Sequence, residues 1–439
     1  QDAEAHNNLG NTLKELGRLK EAEASYNEAI ALTPDYAEAH CNLGIILHDL
    51  GRLDKSEVSY NKAITLKPDL PEAHINLGIT LQELGRLEEA KASLTRAIEL
   101  MPYYAEAHCN LGNTLKELAL LDEAEASYNQ AIILKPDFAE AYCNLGVTLQ
   151  EMGRLEDSEN SHKKAIELNP KYFEAYSNLG ITLREMGRLE DSKNSYKTSI
   201  RLNPDYAEGY FNLGVTLRDL GNLEDSKTNY EKAISIKPNY PEAYNNLGVV
   251  FREIGNLDKS EYSYKKAINL KPDYADAYNN LSFTLLLKND FKKAYDFSEW
   301  RWSTEHNIGK KFITTKPLWN GESGKRVLAW KEQGIGDEIM HCSMLSELKA
   351  KSKKLVVHCD KRLIPIFKRS LSADIIYESN KLNISDKDYD AHIPLGSISK
   401  YFRNDLKSFA VTANGYLKAN KEKAHKIRSS LIKNNKEKL

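Results

Sequence analysis

DYAEAHCNLGIILHDLGRLDKSEVSYNKAITLKP, residues 35–68, is a unit that returns every 34 residues from the first residue to about residue 302. Proline recurs at Pro34, Pro68, Pro102, Pro136, Pro170, Pro204, Pro238 and Pro272 without insertion or deletion. Asn-Leu-Gly starts at Asn8, Asn42, Asn76, Asn110, Asn144, Asn178, Asn212 and Asn246, and a ninth copy at Asn280 reads Asn-Leu-Ser. Within the unit, Ala39, Leu43, Ile46, Leu47 and Leu50 keep a helical period. Gly51 breaks the run, and Leu53, Tyr60, Ala63, Ile64 and Leu66 begin a second one before Pro68. Each unit is therefore expected to be a helical hairpin, with Gly44 and Ala63 where bulk would hold the helices apart and Pro68-Asp69 turning the chain into the next hairpin.

This pattern resembles the tetratricopeptide repeat (TPR). One hairpin cannot bury its own apolar face, so the expected fold is an α-helical solenoid of about nine hairpins with a concave groove. Repeat four carries Ala119 where the other regular units have Gly between their helices. Repeat nine decays, with Ser282 in place of Gly, Asn289 between its helices, no closing proline, and an aromatic run Trp300-Arg301-Trp302. That is how a solenoid ends against something else.

Composition fits a folded chain of two or three units, with 41% hydrophobic and 28% charged residues in 439. No apolar run approaches the roughly 18 residues of a membrane span. Gln1 opens inside a repeat without an initiator Met, so the natural N-terminus is expected to lie upstream and missing targeting signals carry little weight. Cys41, Cys109 and Cys143 share one repeat slot, and a spacing of roughly 10 Å between equivalent positions is too long for a disulfide. A reduced, cytoplasmic chain is the default. Residues 1–302 hold 34 Lys and Arg against 48 Asp and Glu, whereas residues 303–439 hold 27 against 15, so the two parts face different partners.

From Gly324 the periodicity changes. Arg326–Lys331 reads as a strand, Gln333–Gly336 as a turn, Asp337 to about Ala350 as a helix, Lys354–Cys359 as a strand, Lys361–Leu371 as a helix and Asp374–Tyr377 as a strand. That alternation predicts a parallel sheet covered on both faces. A short strand at Asp390–Leu395 and a basic helix at Lys421–Asn434 follow.

Two groups of residues have chemical potential. The repeat asparagines lie on the first helix of each hairpin, where amides can hold a peptide backbone without reading its side chains; bonding to a neighbouring helix is the plainer alternative. Seven residues on, Glu15, Asp49, Glu83, Glu117, Glu151, Glu185, Asp219 and Glu253 make an acidic stripe. It favours basic or Ser/Thr-rich segments unless neighbouring bases such as Lys116, Arg184 or Arg218 neutralise it. His6, His40, His74 and His108 occupy a slot that later repeats fill with Tyr142, Tyr176, Tyr210, Tyr244 and Tyr278, which marks packing rather than metal binding. The second group is Glu332–Ile339, EQGIGDEI. Gln333, Gly334 and Gly336 form a loop opening a helix that suits phosphate, Asp337 is a candidate general base or a helix cap, and His341 is a second candidate one turn on. Ile339 stands where a dinucleotide fingerprint needs its third glycine, which argues against NAD even with Asp360 after the second strand.

The run Glu299-Trp300-Arg301-Trp302, then Trp319-Asn320-Gly321-Glu322, Gly324-Lys325, EQGIGDEI and Tyr389-Asp390-Ala391-His392-Ile393-Pro394-Leu395 resembles the bacterial TPR-fused glycosyltransferases related to O-GlcNAc transferases and heptosyltransferases. The resemblance implies residues 1–302 as a TPR superhelix, 303–323 as a Trp-containing linker, and 324–439 as the acceptor-side Rossmann-like half of a GT-B enzyme. The donor-binding half would continue past Leu439. It further implies an inverting transferase with a nucleotide sugar such as a UDP-sugar as donor substrate, no separate cofactor, and a protein or peptide acceptor in the groove. No metal is expected, because the histidines are dispersed and no Cys/His/Asp cluster has ligand spacing. Gly336-Asp337 matches the Gly-Asp pair whose Asp is the heptosyltransferase branch's proposed base. Residues 1–439 alone are not expected to turn over substrate. The rival reading is a non-catalytic protein-interaction scaffold. Nucleic acid is a poor partner, because Lys418–Lys438 lacks interleaved aromatics.

Overall fold

The computed structural model describes residues 2–304, 311–332, 334–412 and 415–436. It divides into two compact units, Gln1–Asn222 and Leu223–Leu439.

In the first unit the 34-residue period is a run of helical hairpins, such as Ala37–Asp49 with Leu53–Leu66 and Pro71–Glu83 with Leu87–Leu100. The glycine of the Asn-Leu-Gly triplet is what lets the two helices of a hairpin meet. A Cβ on Gly44 would lie 2.5 Å from Cε1 of the fully buried Tyr60, far inside van der Waals contact. A Cβ on Gly112 would stand 2.6 Å from Tyr128 in the same way. Ala63 is also fully buried, and each buried ring contributes roughly 1.5–3 kcal/mol. Between the helices Gly51 adopts φ 71°, and Ala119 takes the same left-handed conformation at φ 59°, a strain of roughly 1–2 kcal/mol for a residue with a Cβ.

The second unit begins with the helix Leu223–Ile236, continues through the hairpin Pro241–Glu253 with Leu257–Leu270, and closes the array with Ala275–Leu287 and the short Phe291–Ser298. Strands β1 (Arg326–Trp330), β2 (Lys354–His358), β3 (Ile375–Glu378) and β4 (Ala391–Pro394) then form one parallel sheet in the order β3-β2-β1-β4. One face, with Val327, Ala329, Leu355 and Val357, packs on Leu345, Leu348 and Phe367 from the intervening helices. The other face departs from the expectation of helical cover. Leu328, Trp330 and Val356 lie under Trp302, Phe312 and Tyr389 instead, because the bulky side chains of the connecting segments shield it. Leu318 bridges His392 beside β4, which protects that edge. The helix expected over 337–350 is two helices, Ile335–Cys342 and Leu345–Lys351. The basic helix is present as Lys421–Lys436.

Candidate functional site

The repeat asparagines sit half-buried on the first helices, except the exposed Asn8. Several are engaged within the protein. Asn42 donates to Asn7 Oδ1 at 3.0 Å, Asn144 to Asn113 Oδ1 at 3.0 Å, Asn178 to Cys143 Sγ at 3.4 Å, and Asn280 to Asn245 Oδ1 at 3.1 Å. The amides thus help register one first helix on its predecessor, using one of the two N–H donors each possesses. Asn246 accepts from Asn245 at 3.3 Å. Asn76, Asn110 and Asn212 hold the equivalent half-buried position.

The acids of the stripe are exposed in all eight regular repeats. Within the first unit their partners come from the preceding repeat, one residue before its own acid: His48 to Glu83 at 3.1 Å, Gln82 to Glu117 at 2.7 Å, Gln150 to Glu185 at 2.8 Å and Arg184 to Asp219 at 3.5 Å. Two of those four partners are neutral amides, which bond a carboxylate without cancelling its charge. Glu151 is exposed alongside them. Lys116, expected as a neutralising base, forms no ion pair with the stripe among the described residues. The histidine column packs: the ring nitrogens of His40, His74 and His108 lie 3.0, 3.0 and 2.9 Å from the carbonyl oxygens of Pro34, Pro68 and Pro102. All five cysteines are buried and unpaired in disulfides.

In the second unit the separate sequence motifs meet. Trp300 stacks flat on Tyr278 of the last hairpin, centroids 4.2 Å apart, while Trp302 turns to Trp330 of β1 at 5.4 Å. Arg301 between them is buried. Its Nε donates to Glu332 Oε2 at 2.9 Å, and Nη2 donates to Ser397 Oγ at 2.9 Å. Glu332 also accepts the Gly396 N–H, and Ser397 Oγ donates to Glu299 Oε1 at 2.6 Å. The Trp-rich run, EQGIGDEI and the segment after β4 are thereby bolted together. Farther out, Asp390 forms a fork with Arg326, 2.7 Å to Nη2, and that guanidinium holds its carboxyl down to about 2. Trp330 Nε1 donates to His392 Nδ1 at 3.0 Å, and Tyr401 donates to the Trp319 carbonyl at 2.8 Å.

Beside the bolt is a cavity of about 620 Å³, lined on one side by Phe283, Leu286, Phe291 and Tyr295 of repeat nine and on the other by Asp337, Met340 and His341. Asp337 and His341 are one turn apart on Ile335–Cys342, so the structure brings the two candidate groups to one wall. The residue capping that helix is Gly334, in extended backbone with no side-chain bond; Asp337 is in the first turn and is not the cap. Gly336 is inside the helix, where an added Cβ would meet nothing within 4 Å. Gln333 lies outside the described residues. Burial lowers the pKa of His341, and its Nδ1 is buried without a hydrogen-bond partner among the described residues. A neutral imidazole at that wall can accept or pass on a proton. Glu338 points away to accept the Asp360 N–H at 2.8 Å, tying the helix to the end of β2, and its burial raises its pKa. Asp360 forms a fork with Arg362 of its own loop, 2.9 Å away, and is occupied there rather than aimed at a ribose.

The Arg301–Glu332 pair and the apolar wall escape a reading by motif. The signal for the wall was present as breaks in the repeat columns at Phe283, Leu286 and Leu287. That for the ion pair was not, because 31 residues separate its partners.

The repeat profile described as TPR repeat matches residues 10–51, 45–85, 80–118, 121–153, 182–217, 216–255 and 250–288. Two further profiles described as tetratricopeptide repeat match 139–172 and 163–194. No curated protein matches the sequence. Among solved structures, the chain is similar to the APC/C hetero-tetramer Cut9-Hcn1, with 15% identity over 61% of this chain and 52% of that one and a TM-score of 0.49. It spans about half of that structure's length. It is also similar to YrrB, described as a TPR protein with an unusual peptide-binding site, with 24% identity over 42% of this chain and 95% of that one and a TM-score of 0.35. A third is pilF of Pseudomonas aeruginosa, with 20% identity over 47% and 94% of the two chains and a TM-score of 0.43. Since the repeat matches tile more than half of its residues, the chain belongs to the tetratricopeptide repeat family.

Proposed function

We propose that the repeats form a protein-interaction module whose groove takes extended segments rich in Lys, Arg, Ser and Thr. One observation carries this reading: the acid recurs, exposed, at one position of eight successive first helices, and in the first unit amides and a histidine supply most of its partners. Exposed carboxylates bonded by amides, as Glu117 and Glu185 are by Gln82 and Gln150, keep their field, which attracts cations and repels acidic chains. Fluorescence anisotropy with basic and acidic peptides of equal length tests it. The basic peptide is expected to bind more tightly, with affinity falling as salt rises. Glu117→Lys with Glu151→Lys should weaken that binding. Equal affinity for both peptides would overturn the acidic-groove reading.

A second reading is favoured by the wall that Asp337 and His341 share: residues 324–439 act as the acceptor-side half of an inverting glycosyltransferase. In that reaction an acceptor hydroxyl attacks the anomeric carbon of a nucleotide sugar. The new C–O bond forms as the bond to the nucleotide's phosphate breaks, Asp337 takes the hydroxyl proton, and the nucleotide leaves with the electron pair. The test is sugar transfer by protein expressed from the complete reading frame. Asp337→Asn is expected to lower the transfer rate by roughly a hundredfold while peptide affinity stays constant. Unchanged transfer would remove Asp337 as base, and no transfer by the parent protein would leave the interaction module alone.

A further inference from the structure

We infer that the cavity at repeat nine is a specificity pocket for a large apolar side chain of a bound peptide, placed beside a hydroxyl-bearing residue that faces Asp337 and His341. This rests on the peptide-binding reading above. The pocket is built from departures of repeat nine from the other eight. At the position of the buried Tyr26, Tyr60, Tyr128, Tyr196, Tyr230 and Tyr264, filled by Leu94 in repeat three and His162 in repeat five, repeat nine has Ser298, and opposite it Ser282 replaces the glycine. The ring that would occupy this space is missing, and both serines line the cavity.

Three groove positions change in the same repeat. The Asn, Ile or Val column ends in Phe283, the column of Lys14, His48, Gln82, Lys116, Gln150, Arg184, Arg218 and Arg252 ends in Leu286, and the acid stripe ends in Leu287. Phe283 lines the cavity and is 49% exposed, and Met340, 58% exposed, faces the same space from the other wall. Such surface is costly to leave in water and suits a small apolar ligand group, and the volume lies in the range of small-ligand pockets. Charge narrows the occupant. Arg301 is paired with both Glu332 and Glu299, and Arg403 with Glu347 at 2.8 Å, so among the described residues no lining arginine is left to offset Asp337. An acidic residue beside the hydroxyl would be repelled there, whereas a hydroxyl can donate to the carboxylate.

The experiment compares two peptides, one of Lys, Ser and Ala only and one in which the residue next to Ser is Phe, by fluorescence anisotropy on the whole chain. The Phe peptide is expected to bind at least tenfold more tightly. Ser282→Gly with Ser298→Tyr restores the packing of the other repeats and should erase that advantage while leaving the Lys-Ser-Ala peptide unchanged. Phe283→Val with Leu286→Gln, both residues of the regular columns and both at positions that line the cavity, should do the same without touching the hairpin interior. Circular dichroism confirms that each variant folds. Equal affinity for the two peptides, or an advantage that survives both double variants, would overturn the pocket while the groove reading stands. Failure of both peptides to bind would overturn the pocket together with the groove reading.

Discussion

Replacing Arg301 with Met is expected to destabilise the second unit by about 3–5 kcal/mol, the cost of leaving the buried Glu332 carboxylate uncompensated, whereas Glu332→Gln should cost less because Arg301 keeps Glu299 Oε1 at 3.2 Å. The two side chains are 5% and 10% exposed, and the guanidinium also holds the Ser298 carbonyl at 3.0 Å and Ser397 Oγ. Without Arg301 a carboxylate is left facing little but the Gly396 N–H. Urea unfolding followed by tryptophan fluorescence reads this directly, because the four tryptophans are Trp300, Trp302, Trp319 and Trp330, all in the second unit. Arg301→Met with Glu332→Leu should cost far less than the two single changes added together, since it removes both desolvated charges. A strictly additive double variant would show that the pair is not coupled.

The second large effect is a pH dependence centred on His162. It takes the slot of the packing tyrosines in repeat five, is fully buried, and packs so closely that a Cβ on Gly146 would lie 2.5 Å from its Cε1. Neither ring nitrogen finds a hydrogen-bond partner among the described residues, and burial alone pushes its pKa down to about 4. An unfolded chain holds its histidine near 6.5, so below that pH the unfolded state binds the proton first. The stabilisation present above about pH 6.5 is therefore lost progressively as pH falls to about 4, to a total of about 3 kcal/mol, and the dependence flattens below that. Tyr26 and Tyr128 donate to Asn11 and Asn113 at 2.7 and 2.8 Å, but the equivalent residue in repeat five is Val147, so His162→Phe is the cleaner control. Thermal unfolding from pH 7 to 4, followed by circular dichroism, should show a smaller loss in His162→Phe than in the parent. Identical profiles would mean that the ring is hydrated or bonded.

Much of this was legible in advance because a repeat reads itself many times over. One 34-residue period set both helices of every hairpin, and the glycine and proline columns marked the close approach and the turn, while the ring that meets Gly44, that of Tyr60, emerged only from the structure. Strands β1 to β4 were recognisable within a residue or two, since short, largely apolar runs bounded by charged residues have few other uses. Asp337 and His341 on one helical face followed from their spacing of four. What the sequence determined by itself was thus local or periodic. Tertiary structure alone decided which long-range partners meet: Arg301 with Glu332, Trp302 over the sheet face expected to carry a helix, and Asn42, Asn144 and Asn178 bonded to the preceding first helix. It also decided that the loss of one tyrosine ring at Ser298 would coincide with a cavity beside Asp337. Such contacts depend on how separately folded segments pack, and no spacing along the chain encodes the distance between them.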